Sequence, residues 1–398
     1  MRVLVFSLAM GFSGEGGTSG GDRILINTIK KLESRANFAV YASELGAMQL
    51  RHYGVGKNLI NVVRFRGGLL GSLASGVRLG LRLAVDGREI IVYSNSNFLP
   101  DLLPALMLKL RLGKNARLVV GYWMIAPRPL ARDWPYRGRT FLRGLLYYIN
   151  DVFAQWLAVR LADALFLTNP LDAQYFAEVR GFPRDRMLVV RGGVDSSQCV
   201  ERSSVEYDAV FVGRLHPQKG VLQLVDIWKR VVEVKRDAKL AIIGNGALEQ
   251  DLRRKIDDMK LERNIDMLGF MDGPAKMEVI ARSRIVVHPV IYDSGGMAAA
   301  ESMVCGLPCV AFDIPSIRAY YPKGCLRTRP YDLDEFAKAI LRLLVDDELY
   351  AKLSREGKQY YRSWDWSLRI EDIFRFLSTL NVRDRDVAQD IGDHTGVR

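Results

Sequence analysis

Short runs of β-branched and apolar residues alternate along the whole chain with longer stretches whose apolar positions recur every three to four residues. That alternation is the pattern of parallel sheets joined by amphipathic crossover helices. In the first half, the apolar runs at 3–7, 90–94, 118–122, 164–168 and 187–191 predict strands. In the second half the pattern restarts at 209–212, 240–243, 265–268, 285–288 and 309–312, with helices predicted over 221–234 and 248–259. Between the two sets, GGVDSSQCVERSSVEY (192–207) is polar, rich in Ser and Gly, and has no apolar period.

The expected organisation is therefore a first domain over 1–193, a linker over 194–206 and a second domain over 207–364. The polar, charged residues 382–398 are expected to be a disordered tail. The fold class is α/β, with two Rossmann-like doubly wound domains facing a central cleft. Open α/β sheets bind ligands beyond the carboxyl ends of their strands, so the cleft is where chemistry is sought. The same layout serves many activities, and the loops must decide among them.

Composition narrows the class. Of 398 residues, 49% are hydrophobic and 26% charged, which excludes global disorder. The longest apolar stretch, 141–167, is interrupted by Arg143, Asp151, Arg160 and Asp163 and falls short of a membrane span. The opening MRVLVFSLAM reads as a first buried strand rather than a signal peptide. Four cysteines in a chain of this length imply no disulfide framework, and Cys305 and Cys309 read as small buried residues. A cytoplasmic protein is expected on these grounds.

The net charge of +12 is unevenly placed. Residues 1–200 carry 26 Lys and Arg against 14 Asp and Glu, whereas residues 201–398 carry 31 of each. Residues 109–143 alone hold nine basic residues (Lys109, Arg111, Lys114, Arg117, Arg128, Arg132, Arg137, Arg139, Arg143) and one acid, Asp133. Such a stripe suits anionic lipid, a phosphorylated acceptor or nucleic acid; a solvated basic face is the plainer alternative.

Three loops carry candidate chemistry. GFSGEGGTSGG (11–21) follows the first strand and opens a helix near Asp22, a setting in which backbone N–H groups can meet a phosphate. It matches neither a P-loop nor a dinucleotide fingerprint, and a plain strand-to-helix turn explains it nearly as well. FVGRLHPQKG (211–220) places Arg214 and Lys219 on the first turn of the second domain, a guanidinium fork and a point charge suited to a diphosphate. The segment 293–301 has Asp293 in a loop after a strand, the turn Ser294-Gly295-Gly296-Met297, and Glu301 in the following helix. Its backbone N–H groups sit at a positive helix end, and an acid at each side can accept hydrogen bonds from hydroxyls.

FVGRLHPQKG, LAIIGNGALEQDL (240–252), IDMLGFMDGPAKMEVIARS (265–283) and YDSGGMAAAESMVCGLPCVAFD (292–313) occur in this order and spacing. Together they resemble the donor-binding domain of the retaining GT-B glycosyltransferases of family 4. YRSWDWS (361–367) is similar to the family's C-terminal motif, and GEGGTSGGD (14–22), RLADALFLTN (160–169) and VVRGGVD (189–195) match its first domain more loosely. The resemblance implies a GT-B architecture in which a last helix, about 365–381, crosses back to the first domain.

It further implies a nucleotide-diphosphate sugar as donor, with no cofactor and no metal. Arg214 and Lys219 would clamp the diphosphate, approached from the first domain by Gly16 and Gly17. Glu301 would hold the ribose, while Asp293 and the backbone of Ser294, Gly295, Gly296 and Met297 would hold the sugar. Gly244 would belong to the donor site, and Phe270 and Met271 would border the base. Arg214, Lys219 and Asp293 would be the groups acting on the reacting centre, and the leaving phosphate would take the acceptor's proton on the same face.

Two positions depart from the family pattern. The acidic pair is usually Glu–Glu, and here the first member is Asp293. The family's first-domain His is absent from VVGYWMIAP (119–127), where Tyr122 or Trp123 stands on the acceptor side. The basic stripe is interleaved with Trp and Tyr, which points to a glycan or lipid-linked acceptor and to peripheral contact with an anionic membrane. For the aromatics between Tyr147 and Trp156, a buried helix face is the expectation. No nucleic-acid-binding module is evident. A nucleotide-sugar epimerase or a non-catalytic nucleotide-sugar-binding protein on the same fold are the rival readings.

Overall fold

The computed structural model describes residues 1–11, 18–65, 68–85, 89–131, 134–136, 138–201 and 204–380. Gly16, Gly17, Arg132, Asp133, Arg137 and the expected tail 382–398 lie outside the described residues. The first sheet consists of β1 (Arg2–Ser7), β2 (Asn37–Ala42), β3 (Ile60–Val62), β4 (Ile90–Ser94), β5 (Ala116–Tyr122), β6 (Ala164–Leu167) and β7 (Met187–Val189). Its strands are parallel and ordered β3-β2-β1-β4-β5-β6-β7. The second sheet consists of β8 (Tyr207–Val212), β9 (Leu240–Ile243), β10 (Ile265–Gly269), β11 (Ser283–His288), β12 (Cys309–Phe312) and β13 (Cys325–Thr328). It is parallel in the order β10-β9-β8-β11-β12-β13.

Strand β1 shows why apolar runs rather than alternating patterns mark these strands. Val3 and Val5 pack into one core cluster and Leu4 and Phe6 into another, on opposite faces of the sheet. A strand covered by helices on both sides is therefore apolar through a near-continuous run rather than at alternate positions. In each sheet the order reverses beside the first strand, between β1 and β4 and between β8 and β11. The loops leaving those strands therefore line the topological switch points where such sheets bind ligands.

The last helix, Trp366–Thr379, is capped by the Asp365 side chain on the Ser367 amide. Its Ile370, Ile373 and Leu377 are buried in the same cluster as Val3 and Val5, so this helix packs on the first sheet. The two chain crossings run side by side. Val194 N–H donates to the Trp364 carbonyl (2.9 Å) and Trp366 N–H to the Val194 carbonyl (3.2 Å).

The structure differs from the sequence reading in several places. Strands β2, β3 and β13 were not among the runs named above: β2 begins with an exposed Asn, β3 is three residues long, and β13 contains Arg327. Cys199 and Cys305 form a disulfide, which corrects the expectation of an unbridged chain and removes one support for a cytoplasmic setting. The bond ties the interdomain stretch to the end of the helix Met297–Val304. Cys309 and Cys325 are free, buried, and opposite each other across β12 and β13. The helix Phe141–Leu161 is also less buried than expected: Ile149, Val152, Phe153 and Trp156 are exposed. Among the described residues, no helix is long and apolar enough to cross a membrane.

Candidate active site

The loop after β8 is held down by close packing. Gly244 (φ +146°) lies against Gly213, where a Cβ would overlap the Gly213 carbonyl oxygen. Gly220 (φ +66°) lies in the same way under the carbonyl of Pro289, in the loop after β11. Only glycine accepts both the dihedral and the approach at these positions. The packing seats the loop carrying Arg214 and Lys219 directly beside the loop carrying Asp293.

Lys219 Nζ pairs with Asp293 Oδ2, and both side chains are largely buried. The other Asp293 oxygen accepts from the Ser294 amide (2.9 Å) and the Gly295 amide (3.4 Å). Two of the N–H groups expected to face a ligand thus turn onto Asp293. Gly296 precedes the helix Met297–Val304 and, as a glycine, supplies no side-chain cap; its backbone meets the Tyr320 hydroxyl. Glu301, in the second turn, accepts from Lys276 Nζ at 2.8 Å. Lys276 also lies 3.4 Å from Asp272, which pairs with Arg23 of the first domain's opening helix, Gly20–Leu32. A chain of alternating charges therefore runs from Glu301 across the cleft.

Arg214 faces the first domain. Its positive charge lowers the pKa of Asp22 and Tyr136, although burial, the larger effect, leaves both raised. No carboxylate pairs with Arg214 among the described residues. His216, which meets Tyr136 edge-on at 5.9 Å, is pushed down to about 3 by burial and then by the charges of Arg214, Arg143 and Lys219. This corner concentrates positive potential. His288, at the end of β11, is buried and also lowered to about 3, by burial and the nearby Lys219. Its ring packs edge-on against Tyr321, and its Nε2 has no hydrogen-bond partner among the described residues.

The first domain closes over the 293–297 turn. Asn169 Nδ2 donates to the Ser294 carbonyl (2.7 Å) and the Ser316 carbonyl (2.9 Å). Ser294 Oγ donates to Asp172 Oδ2 at 2.8 Å. Burial pushes Asp172 up to about 7; the Ser294 hydrogen bond opposes this, while Asp151 and Asp293 add to it. The Met297 side chain packs against Gly192, and the Tyr320 hydroxyl donates to the Arg191 carbonyl. Phe270, 43% exposed, and the half-buried Met271 follow β10 and lead directly to Asp272.

The structure corrects one acceptor-side expectation. Tyr122 is fully buried, packs edge-on against Phe176 at 4.8 Å, and gives its hydroxyl to Asp151. A side chain in the core offers nothing to an acceptor. Trp123 is half-buried at the carboxyl end of β5, with its indole N–H on the Asn95 carbonyl (2.6 Å) and its ring against Gly21. Sequence reasoning passed over Arg23, Asn169, Asp172, Asp272 and Lys276. Asn169 ends the RLADALFLTN motif and Asp272 follows Phe270-Met271, but nothing local to either marks a contact across the cleft. Among the described residues, no group of three or more His, Cys, Asp and Glu is placed to hold a metal ion.

Residues 200–360 match the family described as glycosyl transferases group 1. A phosphatidyl-myo-inositol mannosyltransferase of Mycolicibacterium smegmatis is 26% identical over 241 residues, 58% of this chain and 56% of that one. A poly(ribitol-phosphate) alpha-N-acetylglucosaminyltransferase of Staphylococcus aureus is 27% identical over 191 residues, 47% of this chain and 38% of that one. The chain thus spans about half, or less, of the length of these curated relatives. Among solved structures, Anabaena HepE in complex with UDP and glucose superposes with a TM-score of 0.73 at 19% identity, covering 95% of this chain and 99% of that one. The pneumococcal O-GlcNAc transferase GtfA, solved with UDP and GlcNAc, gives 0.74 at 11% identity, covering 96% and 99%. The fold is GT-B: two parallel Rossmann-like sheets with flanking helices about a cleft.

Proposed function

We propose that the chain transfers a sugar from a nucleotide-diphosphate sugar to an acceptor hydroxyl, with retention of configuration and without a metal ion. The observation that carries this reading is the cluster at the carboxyl edge of the second sheet. Lys219 pairs with Asp293 just before the helix Met297–Val304, which carries Glu301, and the charges of Arg214 and Lys219 both bear on His216 in the neighbouring loop. Two cations and a helix N-terminus meet the needs of a diphosphate. Carboxylates on either side meet the needs of ribose and sugar hydroxyls. The relatives' names, and the UDP bound in HepE and GtfA, support the same assignment.

In this reading the bond from the anomeric carbon to the diphosphate oxygen breaks as the acceptor oxygen bonds to the same carbon on the same face. The acceptor's proton passes to the departing phosphate oxygen. Arg214 and Lys219 stabilise the charge that develops there. Asp293, held by Lys219 and two amides, orients the sugar. Gly244 acts indirectly, by seating the Arg214 loop, while Phe270 and Met271 border the base.

The acceptor is a glycan or a lipid-linked molecule. The two curated relatives are named for acceptors that carry phosphate, and the whole positive excess of this chain lies in the half that would receive the acceptor. A panel of UDP-, GDP- and TDP-sugars, scored by thermal shift and nucleotide release, tests the reading. At least one donor should stabilise the protein and be turned over in the presence of EDTA. A panel with no binder would sink it, and sugar isomerised without any acceptor would replace it with epimerisation.

A further inference from the structure

We propose that the outward face of the helix Phe141–Leu161 docks on an anionic lipid leaflet. This deepens the acceptor reading above by naming the surface that would bring the cleft to its acceptor. Leu142, Leu146, Ile149, Phe153 and Trp156 are 65%, 59%, 54%, 44% and 44% exposed. Their spacing of four, three, four and three residues puts them on one side of the helix. The stripe runs about 21 Å at 1.5 Å per residue. The opposite side, with Gly144, Asp151, Ala154 and Ala158, faces the core. A single exposed Leu needs no explanation, but a continuous stripe of five does.

The charges around the stripe select the occupant. The helix carries one carboxylate, Asp151, which is buried and holds Tyr122, Asn97, Gln155 and the Ala126 amide. Arg143 and Arg160 are exposed beside the stripe, and Arg160 lies 4.6 Å from the Trp156 ring. Where the helix ends at Leu161, a cavity of about 260 Å³ is lined by Lys109, Lys114 and Arg117. Asp163 pairs with Lys109 and Arg117, so the cavity keeps an excess of positive charge. At the other end, Phe141 packs on Trp134 (6.1 Å), and Leu130, 81% exposed, tips the preceding loop beside the exposed Arg128.

An apolar stripe rimmed by cations fits acyl chains below and anionic headgroups at the edge. A second copy of the chain fits less well, because a two-fold contact through this face would set Arg143 and Arg160 against their own counterparts. The placement also suits the chemistry. Gly144, on the core-facing side, packs under Tyr136, which meets His216 at the cleft, so a leaflet on the stripe would lie one helix away from that corner of the cleft.

Flotation of the full chain with vesicles tests the proposal without any donor. The protein should float with an equal mixture of phosphatidylcholine and phosphatidylglycerol and stay behind with phosphatidylcholine alone. The triple variant Leu146→Gln, Phe153→Gln, Trp156→Gln should lose about tenfold in bound fraction. All three side chains are exposed, so its melting temperature and its nucleotide release from donor should match the wild type. Wild type that ignores anionic vesicles, or a variant that floats as well as wild type, overturns the proposal. So does a wild-type dimer that the variant converts to monomer, since a second copy would then cover the face. Flotation without turnover of any nucleotide sugar would instead sink the transferase reading and leave this one standing.

Discussion

Lys219 and Asp293, 74 residues apart in the chain, form a largely buried ion pair at the carboxyl edge of the second sheet. The pair fixes both groups: the ammonium orients the carboxylate, whose second oxygen gathers the Ser294 and Gly295 amides. An incoming diphosphate would compete with Asp293 for the same cation. Lys219→Ala would leave the carboxylate beside the diphosphate with nothing to offset it. Donor affinity measured calorimetrically should fall at least tenfold, about 1.4 kcal/mol or more. Unchanged affinity would place the diphosphate elsewhere.

Asp172 links the closing of the cleft to pH. Its carboxyl is raised to about 7 in the folded chain, chiefly by burial, against about 3.9 for an unfolded Asp. The folded state therefore binds the proton more tightly than the unfolded state does. The stability this contributes is fully present below the unfolded value and is lost as pH rises through about 7. In Asp172→Asn this component vanishes, so urea-unfolding free energy should fall less steeply between pH 5 and 8 than in wild type. Identical slopes would show that Asp172 ionises freely. His216 and His288, lowered to about 3, act the other way: their contribution is present above about 6.5 and is lost as pH falls toward 3.

The Cys199–Cys305 bond closes a long loop, since the two residues are 106 apart. Replacing both with Ser should lower unfolding free energy by about 2–4 kcal/mol. Alkylation of the denatured, unreduced wild type should label Cys309 and Cys325 alone. Labelling of all four cysteines would contradict the bond.

The parts of this molecule that could be read from its sequence are those whose signal is local. Buried parallel strands such as Val3 to Phe6 and 240–243 are apolar at every position, and Arg214, Lys219, Asp293 and Glu301 lie in the loops and helix that follow two further parallel strands, β8 and β11. What escaped is set by distance in space. Arg23 and Asp272 are 249 residues apart, Ser294 and Asp172 122, and no periodicity reports such pairs. The same holds for Cys199 and Cys305. Tyr122 was misplaced because being the last residue of a strand does not say which way a side chain turns; Asp151, a full helix away, draws it inward. The helix Phe141–Leu161 is apolar on most sides, so its pattern could not distinguish the face on the core from the face left outside.

In the proposed donor site, Asp293 and Glu301 hold the two ends of one nucleotide sugar. The direct measurement is calorimetric binding of the best donor from the panel, and of its free nucleotide, to wild type, Glu301→Ala and Asp293→Glu. Loss of Glu301 should weaken both ligands at least tenfold, about 1.4 kcal/mol, because both carry the ribose. Asp293→Glu should leave the free nucleotide near its wild-type affinity while changing which sugar is preferred. If all three proteins bind every ligand alike, the site has been placed in the wrong part of the cleft.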